Sequence, residues 1–250
     1  MLFRSSQALE AQKLGAQILT NTRIEEVIIH NDVVECVKLN NGFIESEWVI
    51  NATNGWASII SNGLEIIPVR ELAMVTERLP KLPPQPFEML CFGEFAYGAT
   101  QTASGNYNLG GPGPARAPKW DYYDENIYAD EVVKVLSYIG EIFPAMKDVA
   151  IIRSWVGTMA FTPDGMPSIG PMPGVKGLFI AAGFVDGMSW AAITGKTAAE
   201  YICDGKTSLP IEQLNPGRFI KKGKFKWPQC YDLTVCHEYL TELISKGDFN

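Results

Sequence analysis

Leu178-Phe179-Ile180-Ala181-Ala182-Gly183 is an apolar run that stops at a glycine, and Phe184-Val185-Asp186-Gly187 leads from it into residues 188–203, MSWAAITGKTAAEYIC. The run predicts a short buried strand, and the small-residue segment predicts a helix closed by Asp204-Gly205. A helix that starts directly after a strand presents unpaired backbone N–H groups and the positive end of its dipole. That end suits an electron-rich oxygen or a developing anion. Ala191, Ala192, Gly195, Ala198 and Ala199 would let such a helix approach a cofactor or another backbone closely. Taken alone, the pattern fits a strand–turn–helix unit of any α/β protein.

Upstream, residues 148–158 (DVAIIRSWVGT) predict a buried strand, and Thr162-Pro163-Asp164-Gly165 a turn. Residues 124–143 give the clearest helix. Ile127, Val132, Val135, Leu136 and Ile139 fall on one face, acidic residues fill the first turn, and Pro144 follows the end. Residues 68–114 are strand-rich around the prolines of 80–86, with 97–111 a hairpin tipped by Ala103-Ser104-Gly105. Residues 3–14 predict a helix capped by Gly15, followed by a β-meander of about 16–20, 24–29, 33–39, 42–46 and 47–52. Its last strand enters Asn51-Ala52-Thr53-Asn54-Gly55-Trp56, a turn before a short helix. The stretch 221–230 is basic and aromatic, and 231–246 predicts one more amphipathic helix.

Composition narrows the class. With 250 residues, 46% hydrophobic and 20% charged, the chain can bury a sizeable core. A net charge of −7 argues against a general nucleic-acid binder, which needs a positive face. Five scattered cysteines without a CxxC pair predict reduced thiols rather than a zinc ribbon or redox dithiol. The two histidines, His30 and His237, are expected at the surface, and no metal cluster is foreseen. No signal peptide opens the chain, and no apolar stretch nears the ~20 residues of a membrane span. A cytoplasmic protein is the expectation.

Several motifs fall in one order. They are Arg153-Ser154-Trp155-Val156-Gly157, then Thr162-Pro163-Asp164-Gly165-Met166-Pro167-Ser168-Ile169-Gly170, then Gly177 to Gly183, and Gly187. Upstream stand Gly15-Ala16, Thr22-Arg23-Ile24, Val49-Ile50-Asn51-Ala52 and Trp56. Between lie Gln101-Thr102, Ser104-Gly105-Asn106 and Gly110-Gly111, and Asn215-Pro216-Gly217-Arg218-Phe219 ends the series. Over residues 5–219 this order resembles the D-amino acid oxidase-like flavoproteins, which include glycine, sarcosine and opine oxidases. The resemblance implies a mixed α+β and α/β fold: a partial FAD-binding α/β domain plus a mostly antiparallel β-sheet substrate domain. Residues 1–66 and 151–219 would form the FAD-binding part and 67–150 the substrate sheet; the tail 220–250 has no counterpart in the family and is expected to be an interaction helix. It also implies non-covalent FAD and hydride transfer from the α-carbon of a small amine or amino acid to the flavin, the cofactor carrying the redox chemistry. The flavin ring end would meet Gly170, Gly183, Phe184, Val185, Asp186, Gly187 and Met188, and the remainder Ile24, Ala52, Thr53, Asn54 and Trp56. Tyr97, Gln101, Gly157 and Met159 would line the substrate pocket, although strand alternation leaves Tyr97 and Gln101 free to face either way.

The chain departs from that family pattern in four places. No GxGxxG follows an N-terminal strand, so the pyrophosphate cradle is absent from this chain. A truncated gene or a second subunit supplying that segment would each account for it, and FAD is then not expected to be held tightly by this chain alone. A non-catalytic subunit or degenerate paralogue that no longer binds FAD is the alternative. Asn54 stands at a family glycine, and asparagine tolerates the left-handed backbone. Met159 stands where glycine- and D-amino-acid-oxidising relatives carry a carboxylate-binding arginine, which favours a secondary amine. The 183–187 loop is about one residue short, with Asp186 either beside the flavin pyrimidine or a solvated helix cap. Arg153 is either a structural partner or a pocket residue, and Trp155 is expected in the core.

Overall fold

The computed structural model describes residues 2–61, 63–80, 87–92, 95–111, 124–185 and 187–219. Helix α1 (Leu2–Lys13) ends as anticipated. Gly15 adopts φ +99°, the Gly15 amide donates to Gln12 O, and the Ala16 amide donates to Ala11 O, which together satisfy the orphan carbonyls. Strands β1 (Ile24–His30), β2 (Val33–Leu39) and β3 (Gly42–Glu45) form an antiparallel meander. Its first turn places Asn31 and Asp32 at positive φ, the backbone a tight hairpin demands. The strand expected over 16–20 does not form: Ile18 and Leu19 are exposed, and among the described residues no strand pairs with them.

The strand β4 (Val49–Asn51) leaves the meander, contrary to the sequence expectation, and leads through a single helical turn at Asn54–Trp56 into α2 (Ala57–Ile60). Next come β5 (Ile67–Arg78), β6 (Phe87–Phe92), β7 (Phe95–Gln101) and β8 (Asn106–Gly111), then α3 (Ala129–Ile142) and β9 (Ile151–Phe161). These five strands form one antiparallel sheet in the order β6-β7-β8-β5-β9, so β9 shares a sheet with residues 67–111. One face is packed by α3: Val135 and Ile139 join Leu72, Met74, Ala99, Tyr107 and Leu109 in a single core. Helix α3 starts five residues later than its periodicity predicts. The segment before it is held non-helically by Arg70, whose guanidinium donates to Asp124 O at 3.1 Å and to Asn126 O. Strand β9 was expected to be buried, but Ile152 and Arg153 are exposed and burial begins only at Ala160.

Strands β10 (Ser168–Pro171) and β11 (Leu178–Ala182) pair antiparallel, and β4 joins the other edge of β11 in parallel. All five β11 residues are buried. At roughly 1.5–3 kcal/mol for each large apolar side chain, Leu178, Phe179 and Ile180 anchor this end of the molecule. Helix α4 (Gly187–Asp204) follows, packing Ala198 against Phe179 and Ile169. Sheets are mostly antiparallel, in keeping with the fold class read from the sequence. Residues 220–250, with the expected tail helix, lie outside the described residues. Among the described residues no helix is long and apolar enough to cross a membrane.

Candidate functional site

The turn after β4 is organised by Asn51, a buried residue that sequence reasoning took only as the end of a strand. Its Nδ2 donates to Ala57 O (3.1 Å) and to Ser61 Oγ (2.9 Å). Its Oδ1 accepts from the Thr53 amide (3.2 Å) and hydroxyl (2.7 Å). With the strand end and α2 fixed to one side chain, Asn54 is carried to φ +50°, the left-handed conformation its side chain type permits.

Asn54 then reaches across 130 residues. Its Oδ1 accepts from the Phe184 amide at 2.8 Å, and its Nδ2 donates to Phe184 O at 3.2 Å. The side chain thus pairs with both backbone groups of the loop that follows β11. Gly183 at φ +81° allows no side chain here: an added Cβ would stand 2.7 Å from Thr162 Cγ2. Gly55 packs its Cα against β9, where an added Cβ would lie 3.0 Å from Thr158 Cγ2 and 3.5 Å from Met159 O. The β4 turn, the β11–α4 loop and the middle of β9 therefore meet at one place. Beside it, Gly157 is exposed, and a Cβ built on it would meet none of the described residues within 4 Å. The small residues Gly55 and Gly183 and the turn closed by Asn54 are compatible with the ring end of the flavin that the sequence resemblance implies.

Of the anticipated cofactor residues, Asn54, Gly183, Phe184, Val185, Gly187 and Met188 lie at this junction, as do Ala52, Thr53 and Trp56 on the β4 turn. Trp56, Val185 and Met188 are exposed, and Thr53 spends its hydroxyl on Asn51. Asp186 lies outside the described residues. Ile24 opens the separate β1–β2–β3 sheet, opposite Leu39. Gly170 is buried on β10, with Pro216 Cδ 3.6 Å from where its Cβ would be, so it serves the packing of the chain after α4. Gly157 and Met159, expected to line the substrate pocket, flank Thr158 on β9, and Met159 O lies 3.5 Å from where a Gly55 Cβ would stand. Gln101 does not join them: its Nε2 donates to Pro80 O (3.0 Å) and Gly105 O (3.2 Å) at the hairpin tip. Tyr97 of β7 pairs along the backbone with Leu90 of β6. An apolar cavity of about 270 Å³ lined by Leu79, Ala99, Tyr107, Phe143 and Met146 opens on the α3 side, away from Gly157.

The TPDG run has a structural task. Asp164 accepts from Arg218 through both oxygens, at 2.8 and 3.0 Å, and Thr162 Oγ1 donates to Asp164 Oδ1 and Met166 O. This ties the turn after β9 to the end of the described chain. Arg153 lies with its guanidinium carbon 5.3 Å from the Trp155 ring centre, a cation–π contact between neighbours on one strand face. Two charged residues escaped the sequence reading. Glu131 forms a nearly buried pair with Arg70, both oxygens 2.6 Å from Nη1. Glu71 stands across from Gly157, and burial pushes its carboxyl above the usual range. Its signal was its place on the face opposite Leu72 and Met74, which becomes readable only once α3 is known to cover theirs.

A family model described as "FAD dependent oxidoreductase" (DAO) matches residues 3–201. The human mitochondrial dimethylglycine dehydrogenase is 22% identical over 239 residues, covering 86% of this chain and 27% of that protein. The hydrogen cyanide synthase subunit HcnC of Pseudomonas protegens is 26% identical, covering 88% of this chain and 52% of that protein. Among solved structures, L-proline dehydrogenase from P. horikoshii superposes with a TM-score of 0.74 at 33% identity, over 88% of this chain and 59% of that one. The chain thus spans between about a quarter and three fifths of these relatives. Because the matched stretch takes in the Gly183 loop, the β4 turn and the sheet carrying Gly157, the chain belongs to the DAO family of FAD-dependent oxidoreductases.

Proposed function

We propose that this chain provides the flavin-ring and substrate side of an oxidoreductase acting on the C–N bond of a small secondary amine or N-substituted amino acid. The observation that carries this reading is the meeting of the β4 turn with the Asn54-clasped loop before α4 and with Thr158 and Met159 of β9, next to Gly157. FAD, when bound, supplies the electron acceptor. The chain's own part is to hold the ring's edge near the α4 amides and to seat the substrate over the β9 face. Met159 at this face offers no guanidinium for a carboxylate, and relatives named for L-proline and dimethylglycine oxidation favour amines bearing at least two carbon substituents.

The pyrophosphate cradle is proposed to come from a further polypeptide segment, in the same chain or another, that carries a strand–GxGxxG–helix. In support, β4 pairs on one edge only among the described residues, and the outward α4 residues Met188, Ala191, Ala192, Ile193 and Gly195 are exposed. The alternative of a non-catalytic scaffold is favoured by the missing cradle and the shortened 183–187 loop. The test is anaerobic: full chain, FAD and a GxGxxG-bearing partner segment are mixed with L-proline or sarcosine. Bleaching of the oxidised flavin's visible absorbance is expected. A preparation that binds FAD but is never bleached by any secondary amine would leave the scaffold reading.

A further inference from the structure

Glu71 carries a charge that no contact in the described fold uses. On β5 it faces Gly157 of β9, and the neighbouring steps pair Ala73 with Trp155 and residue 69 with Met159. Directly opposed residues of an antiparallel pair share a face, so Glu71 rises from the surface that bears Trp155, Gly157 and Met159. Leu72 and Met74 point the other way, under α3. Two glycines flank it: a Cβ added to Gly110 of β8 would stand in van der Waals contact with Glu71 Oε1 at 3.7 Å, and one added to Gly157 would meet none of the described residues within 4 Å.

A half-buried carboxylate ordinarily finds a donor. Among the described residues no hydrogen bond or ion pair reaches Glu71, and desolvation alone raises its carboxyl. The flanking cations are committed elsewhere. Arg70 is turned to Glu131 on the α3 side. Arg153 sits at the Val75 step, roughly 13 Å along the strand, stacked on Trp155. The β8 positions on this face, Asn108 and Gly110, bring no charge.

We infer that Glu71 is the residue that recognises the substrate's protonated amine, so that the site selects an ammonium group rather than a carboxylate. This rests on the oxidoreductase reading above and extends it to the substrate's orientation. The amine nitrogen sits over the Gly110–Gly157 floor and donates to Glu71, while the Met159 side accepts the carbon skeleton. A substrate carboxylate in that position would meet a like charge, so where one exists it points away from Glu71.

The test is calorimetric titration of the full chain, assembled with FAD and the GxGxxG-bearing segment, against L-proline, pyrrolidine and tetrahydro-2-furoate, the last replacing the amine by an ether oxygen. Wild-type protein is expected to bind both amines, and Glu71→Gln to lose about tenfold or more for each, because a charge-assisted hydrogen bond becomes a neutral one. Glu71→Asp keeps part of the affinity. Tetrahydro-2-furoate binds wild type about tenfold more weakly than L-proline and gains on Glu71→Gln. Folding is a built-in control: the glutamine has no ionised form to desolvate, so its thermal midpoint at neutral pH does not fall below wild type. The inference is overturned if wild type binds neither amine. It is equally overturned if Glu71→Gln changes both amine affinities by less than about twofold, or if the ether acid matches L-proline on wild type. Flavin bleaching separates the two ideas. Amines that bind through Glu71 but never bleach the flavin defeat the redox reading alone, whereas equal bleaching rates in wild type and Glu71→Gln defeat the role of Glu71 alone.

Discussion

A single asparagine does two jobs at the β4 turn, and the two can be separated by substitution. Asn54 sits at φ +50° and pairs with both backbone groups of Phe184. Glycine keeps the backbone angle and loses the clasp, while alanine loses the clasp and adds left-handed strain of roughly 1–2 kcal/mol. With about 1 kcal/mol for each hydrogen bond, Asn54→Gly is expected to cost about 1–2 kcal/mol and Asn54→Ala about 2–4 in denaturant unfolding. Equal stability of wild type and Asn54→Gly would mean that the clasp contributes nothing. The left-handed turn was legible, because a residue type that tolerates positive φ stood where the resemblance called for glycine. The clasp was not, since nothing in the sequence tells residue 54 that residue 184 lies beside it. Asn51 was hidden for the same reason: four hydrogen bonds converge on a side chain that, read along the chain, merely ends a strand.

At the scale of elements, the Arg70–Glu131 pair fixes α3 to β5 and holds the segment before the helix out of helical form. Removing only the acid strands a guanidinium that is 15% exposed. Glu131→Ala should therefore destabilise by about 3–5 kcal/mol, whereas the double change Arg70→Met with Glu131→Leu should recover most of that loss. Urea denaturation of wild type and the two variants decides it, and a double variant as weak as the single one would contradict the account. The end of α4 is pH-sensitive in a definite direction. Glu200 accepts from Lys196 Nζ (2.5 Å), the Ser208 amide (2.9 Å) and the Thr207 hydroxyl (3.0 Å), which lowers its carboxyl to about 2. A lowered folded value stabilises above the unfolded value of about 4.3 and is lost as pH falls towards about 2. Melting curves across that interval should drop less for Glu200→Gln than for wild type. Elements of strong pattern were legible: β11, Gly183 and α4 follow from an apolar run, a glycine and a small-residue helix. Misplaced elements had their cause in distant partners. The 16–20 stretch had strand-forming residues and no partner strand among the described residues, α3 lost its first turn to Arg70, and β4 left its neighbours in sequence for β11.

For the whole molecule, the issue is what lies beyond β4. In a parallel pair, alternate residues of a strand turn their N–H and C=O to opposite sides. The Val49 amide donates to Gly177 O at 2.8 Å, towards β11, so Ile50 between Val49 and Asn51 turns its backbone groups to the other edge. That edge carries no strand among the described residues, and the Ile50 side chain is 46% exposed. Unpaired edges of this kind invite strand addition. If the phosphate-binding segment docks here, a proline at position 50 removes the one outward donor while leaving both β11-facing residues intact. Ile50→Pro should then keep the isolated chain folded, with a thermal midpoint within roughly 2–4 °C of wild type, a loss of about 1 kcal/mol or less. It should nevertheless abolish FAD retention by the mixture of chain and GxGxxG-bearing segment, read as flavin co-eluting in gel filtration. Undiminished retention would place that segment on another surface. Loss of folding in the isolated variant would show instead that the Ile50 edge is already engaged within this chain.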